Sequence, residues 1–124
     1  MSEQEHLNEI VGMCFTLQLL NKLYHWNTTS YARHKATDDF NSTLQSLLDR
    51  FVEVYIGRYG SRPSVKKLRL DETNLTDQGI IGLFMAVREY LKTFDKKFND
   101  TDLLNIRDEL LAEVNKTLYL FNLR

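Results

Sequence analysis

Four side chains carry most of the chemical potential of this sequence: His25, His34, Asp49 and Glu53. The stretch YHWNTTSYARHK, Tyr24 to Lys35, holds two of the chain's three histidines and its single tryptophan, Trp26. Asp49 and Glu53 follow with i, i+4 spacing, one helical turn apart, so their carboxylates can converge on a cation. Imidazole nitrogens and carboxylate oxygens together suit Fe(II), Zn(II) or Mn(II), and the residue types do not choose among these metals. A plainer account of the same residues stands beside this one. In it, His25 is a hydrogen-bonded helix-end residue, His34 is solvated in a first turn, Trp26 belongs to the core, and the two carboxylates lie on a wet helix face.

The elements that must position these groups are helical. A first helix is expected from about Glu3 to Trp26, with Ser2 and Glu5 spaced as a capping box and Leu7, Ile10, Val11, Cys14, Leu17 and Tyr24 recurring at three and four. Asn27-Thr28-Thr29 ends it, and Ser30 is the expected N-cap of a second helix reaching about Tyr59. Its apolar stripe runs through Phe40, Leu44, Leu47, Leu48, Phe51, Val54 and Tyr55, with Gly57, Gly60 and Pro63 at its close. GSRPSVKKLRLDETN reads as a long crossover. A third helix starts at Asn74 or Thr76 and carries Ile80, Ile81, Leu83, Phe84, Val87, Tyr90, Leu91 and Phe94. Asn99-Asp100-Thr101-Asp102 caps a fourth, with Leu103, Leu104, Leu110, Leu111, Val114, Leu118 and Phe121 on one face. No strand signal is present. The fold class is therefore all-α, and two helices, a long crossover and two more helices match the ferritin-like variant of the four-helix bundle.

This order constrains the candidate site. At ~1.5 Å per residue, the 15 steps from His34 to Asp49 put them ~22 Å apart along one helix. One chain cannot gather all four groups around one ion. Two copies can, if their second helices cross antiparallel near Ser42 and Thr43, so that the histidine end of one chain meets Asp49 and Glu53 of the other. Ser42 and Ser46 are small enough to permit close approach there.

Composition sets the outer bounds. A chain of 124 residues, 43% of them hydrophobic, suits a single domain over residues 1–124. The 16 basic and 17 acidic residues are interspersed, so the chain lacks an electrostatic footprint for nucleic acid. The acidic start, MSEQEHLNEI, does not read as a signal peptide, and no apolar run approaches the ~20 residues of a membrane span. Cys14 is alone, agrees with a reducing compartment, and is expected to be buried and inert among Met13, Phe15 and Leu17. A cytoplasmic protein without a membrane partner is the expectation. Glu3-Gln4-Glu5-His6 is the only Glu-x-x-His, and His6 is read as solvent-exposed. Glu109 and Glu113 read as a solvated pair, and Tyr55 and Tyr59 as packing residues.

The sequence His25-Trp26-Asn27, then His34, then Asp49 with Glu53, then Gly60-Ser61-Arg62-Pro63, resembles the Dps-like mini-ferritins, mainly over residues 7 to 63. HWNTTSYARHKA and YIGRYGSRP also look like a group of short ferritin-like proteins of large DNA viruses and phages, which implies host cytoplasm. The resemblance implies iron bound across a two-fold subunit interface, with His25 and His34 from one chain and Asp49 and Glu53 from the other. It further implies a homo-oligomer, at least a dimer, that oxidises Fe(II) with peroxide or oxygen. Zinc and manganese remain chemically open. The alternative is a non-catalytic helical-bundle interaction protein in which the same face is a wet subunit interface.

Overall fold

The computed structural model describes residues 2–73 and 75–123. Four α-helices follow one another: α1 over Glu3–Asn27, α2 over Tyr31–Tyr59, α3 over Asp77–Lys92 and α4 over Thr101–Phe121, with a 3-10 turn at Phe94–Lys96 before the last. No strand occurs among the described residues.

Local chemistry sets the boundaries. Ser2 Oγ accepts from the Glu5 amide at 3.1 Å, Ser30 Oγ from Arg33 at 3.2 Å, and Thr76 Oγ1 from Gly79 at 3.0 Å, each satisfying an amide that the first helical turn leaves free. Thr76 is thus the N-cap of α3, while Asn74, the other expected start, lies outside the described residues. Gly60 ends α2 at φ 72°, the left-handed conformation that glycine adopts without steric cost. Gly57 is still helical, so it does not take part in closing α2. α1 runs one residue beyond Trp26, and Phe94, expected in the stripe of α3, packs from the 3-10 turn. Asp100 is the N-cap of α4, yet its side chain makes no cap bond; it accepts instead from Tyr59 Oη and, at 2.8 Å, from Arg58.

The helices close into a ring in which α1 packs on α2, α2 on α4, α4 on α3, and α3 on α1. Arg33, near the start of α2, defines one end. Its guanidinium donates to Tyr24 Oη at the end of α1 and to the Phe121 carbonyl at the end of α4, and it reaches the Asp77 carbonyl at the start of α3. At the opposite end, Tyr55 Oη near the end of α2 donates to the carbonyl of Glu3, and Tyr90 Oη of α3 donates to Glu9 of α1. α2 and α3 therefore start at the same end and run parallel. Residues 60–76 must travel the length of the bundle to join them, fastened on the way by Gln4 Nε2 to the Arg62 carbonyl and the Ser64 amide to Asn8 Oδ1.

The core sits inside this ring. Phe84 packs tilted against Phe40 at 4.7 Å and edge-on against Phe121 at 5.2 Å between centroids, and Tyr55 is fully buried against Phe98. Cys14 is enclosed, and burial pushes its thiol up to about 12. His6 departs from the expected exposure. It is half-buried, edge-on to Phe98 at 5.5 Å, with Nδ1 enclosed, because its helix face turns under the loop that precedes α4.

Candidate metal centre

The three-residue turn from Thr28 to Ser30 folds α1 back on α2 and brings the two histidines face to face. Their rings stack at 3.8 Å between centroids, inclined by 16°. The His25 Nδ1 donates to the carbonyl of His34 at 2.7 Å, and the His34 Nδ1 donates to the carbonyl of His25 at 2.9 Å. A carbonyl oxygen only accepts, so a neutral ring held in this bond carries its proton on Nδ1 and presents Nε2 as a lone pair. Neither Nε2 has a hydrogen-bond partner among the described residues. His25 is buried and His34 exposed, with Tyr31 flanking the outer ring at 6.5 Å. Anchored Nδ1–H groups with free Nε2 atoms are what an imidazole needs to serve as a metal ligand.

Asp49 and Glu53 lie on the exposed side of α2, toward its other end. They edge a shallow cavity of about 240 Å³ whose remaining walls are largely apolar, including Phe15, Leu48, Val52 and Pro63. Neither carboxylate has an ion pair or hydrogen bond among the described residues. The structure therefore joins His25 to His34 and keeps both away from Asp49 and Glu53, since α2 is one unbroken helix from Tyr31 to Tyr59. Among the described residues of a single chain, no cluster of three or more His, Cys, Asp or Glu side chains is placed to hold a metal ion.

The surface between the histidine pair and the two carboxylates is neither flat nor wholly polar. Phe15, Leu19 and Trp26 stand out from α1 at 37%, 42% and 65% exposure, at spacings of four and seven that align them on one face. Trp26 is accordingly no core residue; Lys22 lies over its ring at 5.4 Å. A groove of about 390 Å³ runs along the α1–α2 seam past Leu19, Lys22, Asn41 and Ser42. Asp38 also lines it, one turn on from His34, and sequence reasoning passed over this carboxylate. Its i, i+4 spacing from His34, the same as that of Asp49 to Glu53, is the signal that could have found it.

The other polar clusters are structural in character. Glu9 accepts from Tyr90 Oη at 2.7 Å and from Lys97 Nζ at 2.8 Å, and these bonds, Lys97 first, hold its carboxyl below the usual range. Glu109 pairs with Arg50 on an exposed face.

Comparison with known proteins adds kinship without chemistry. A family model described as "Family of unknown function (DUF5856)" matches residues 25–121. The chain is also 36% identical over 76 residues to a protein of Enterobacteria phage T4 described as "Uncharacterized 14.6 kDa protein in mobD-ri intergenic region". That match covers 57% of this chain and spans 59% of the phage protein's length. No solved structure matches the chain. Among the described residues, no helix is long and apolar enough to cross a membrane.

Proposed function

The chain belongs to the family of unknown function DUF5856, and from its own geometry we propose that it is a ferritin-like protein that binds iron at a His/carboxylate site completed by a second copy of itself. The up-down-down-up order of its helices, with the long crossover, supports the ferritin-like part of this reading. The observation that carries the metal part is the reciprocal anchoring of His25 and His34, which leaves both Nε2 atoms without a hydrogen-bond partner among the described residues.

Axial arithmetic supports the dimer. Ser42 stands ~12 Å along α2 from His34, and Asp49 and Glu53 stand ~11 and ~17 Å beyond it on the other side. A two-fold axis near Ser42 with antiparallel α2 helices carries His34 of one copy to the level of the Asp49–Glu53 turn of the other. Phe15, Leu19 and Trp26 would be covered by the same contact, which gives the association an apolar contribution. In this arrangement His25 and His34 supply nitrogens, and Asp49 and Glu53 supply charge-compensating oxygens. Fe(II) held there is the substrate, oxidised by peroxide or oxygen; zinc or manganese would bind without that reaction. The phage relative is consistent with a viral source.

Complementation tests the shared site. Asp49→Ala/Glu53→Ala and His25→Ala/His34→Ala chains should each bind no Fe(II) or Zn(II) and keep their helix content. An equimolar mixture should recover one intact site per mixed dimer, about a quarter of wild-type capacity for random pairing of equal dimers. Full binding by either variant alone would sink the proposal.

The exposed Phe15, Leu19 and Trp26 also favour a second reading, a helical interaction module whose seam is a subunit contact without metal turnover. Elemental analysis of protein purified without added metal separates the two: stoichiometric iron or zinc favours the first.

A further inference from the structure

Thr37 lies on α2 with no exposed surface, and a buried hydroxyl needs hydrogen-bond partners to offset the loss of water. Its Oγ1 donates to the carbonyl of Arg33, four residues earlier, at 2.7 Å, with the carbonyl of His34 close by at 3.1 Å. With its one proton committed there, the oxygen faces the His25 Nδ1 at 3.0 Å as an acceptor. The His25 N–H is therefore shared between two acceptors, the His34 carbonyl and the Thr37 hydroxyl. The backbone of Thr37 is tied down from the other side. Asn21, fully buried and one turn before His25 on α1, donates Nδ2 to the Thr37 carbonyl at 3.0 Å and to Asn41 Oδ1 at 2.8 Å. That bond to a carbonyl fixes which way the Asn21 amide points, and it leaves Asn21 Oδ1 buried without a donor among the described residues. An orphaned buried acceptor is costly to stability, so stability alone does not account for this polar strut.

We infer that Thr37 is the positioning residue of the histidine pair: its buried hydroxyl, braced by Asn21, keeps the His25 proton on Nδ1 and so keeps Nε2 available as a ligand. The consequence for metal affinity rests on the reading of the seam as a metal site; the consequence for the imidazole does not. A carbonyl alone leaves the ring one acceptor and more room to turn. The hydroxyl supplies the second contact, which holds the ring where Nδ1 meets the carbonyl, and the other tautomer is disfavoured there because its Nδ1 lone pair would face that carbonyl oxygen.

The test uses the full-length chain with the His25 ring nitrogens read by long-range ¹H–¹⁵N correlation at pH 8, first without metal. The wild type and Thr37→Ser should show protonated Nδ1 and bare Nε2. Thr37→Val should show both tautomers of His25 in exchange, and Thr37→Ala, a better helix former, should do the same if the valine variant fails to fold. In Zn(II) titrations, loss of the hydroxyl should weaken binding about tenfold, the scale expected for a residue that orients a ligand, and serine should restore it. Hydroxyl-free variants that keep a single Nδ1–H tautomer of His25 would overturn the inference. If the tautomer changes while the wild type binds no metal, the metal reading fails and the positioning role of Thr37 stands.

Discussion

His25 and His34 hold each other through their backbones: each ring donates Nδ1–H to the carbonyl of the other residue, at 2.7 and 2.9 Å, and the rings stack. Because the bond made by His25 ends on the backbone of His34, deleting the His34 side chain leaves His25 anchored. The converse variant removes a buried ring, and Thr37 loses the donor it faces.

An asymmetry follows between the two deletions. His34→Ala should lower stability by about 1 kcal/mol or less, the worth of one hydrogen bond at an exposed ring. His25→Ala should cost about 2 kcal/mol or more, from lost burial and an unpaired polar neighbour. Both should remove metal binding in the same calorimetric titration. Denaturant melts supply the stability half, and equal losses for the two variants would contradict this geometry.

The proposed self-association has a natural weak point. Ser42 is exposed and edges the groove at the expected two-fold, so Ser42→Arg would set like charges against one another across the axis. Light scattering should report twice the 14.6 kDa chain mass for the wild type and a single chain mass for the variant. The variant should lose metal binding without losing helix content, because Ser42 is exposed on α2. A monomeric wild type would remove the dimer from the proposal.

The core makes a larger and less conditional prediction. Phe84 is fully buried between Phe40 and Phe121, joining α3 to α2 and α4. Phe84→Ala should destabilise the chain by about 3–5 kcal/mol, the sum of lost transfer energy and the cavity left behind. A shift of less than about 1 kcal/mol in a urea melt would mean that this packing is not the one adopted.

The helices and their starts were readable because capping is local. Ser30 and Thr76 need only their own side chains and the amide three residues on. Asp100 shows where that logic stops: its position as N-cap was legible, but its carboxylate serves Arg58 and Tyr59 of α2, a long-range choice that no local pattern encodes. The separation of His34 from Asp49 was legible for the same reason, since a continuous helix is a ruler. The reciprocal histidine bonds were not, because they depend on how a three-residue turn sets two helix ends together. Nor was the exposure of Trp26. α1 carries apolar residues on two faces, so periodicity alone assigns Phe15, Leu19 and Trp26 to the core as readily as Leu17 and Tyr24.

Acid should expose the strut between α1 and the end of α3. Glu9 accepts from Lys97 and Tyr90, which lowers its pKa in the folded chain below the ordinary 4.5. A group depressed on folding contributes stability that is fully present above its unfolded pKa and is lost as pH falls through the lower folded value. Glu9→Gln should therefore be less stable than wild type at pH 7, by a modest amount because the carboxylate is partly exposed. The gap should begin to close below pH about 4.5 and keep closing as the wild-type carboxylate takes up its proton. Urea midpoints at pH 7, 5 and 3 check this, and a gap that widens toward pH 3 would show that Glu9 is not held in its charged form by these partners.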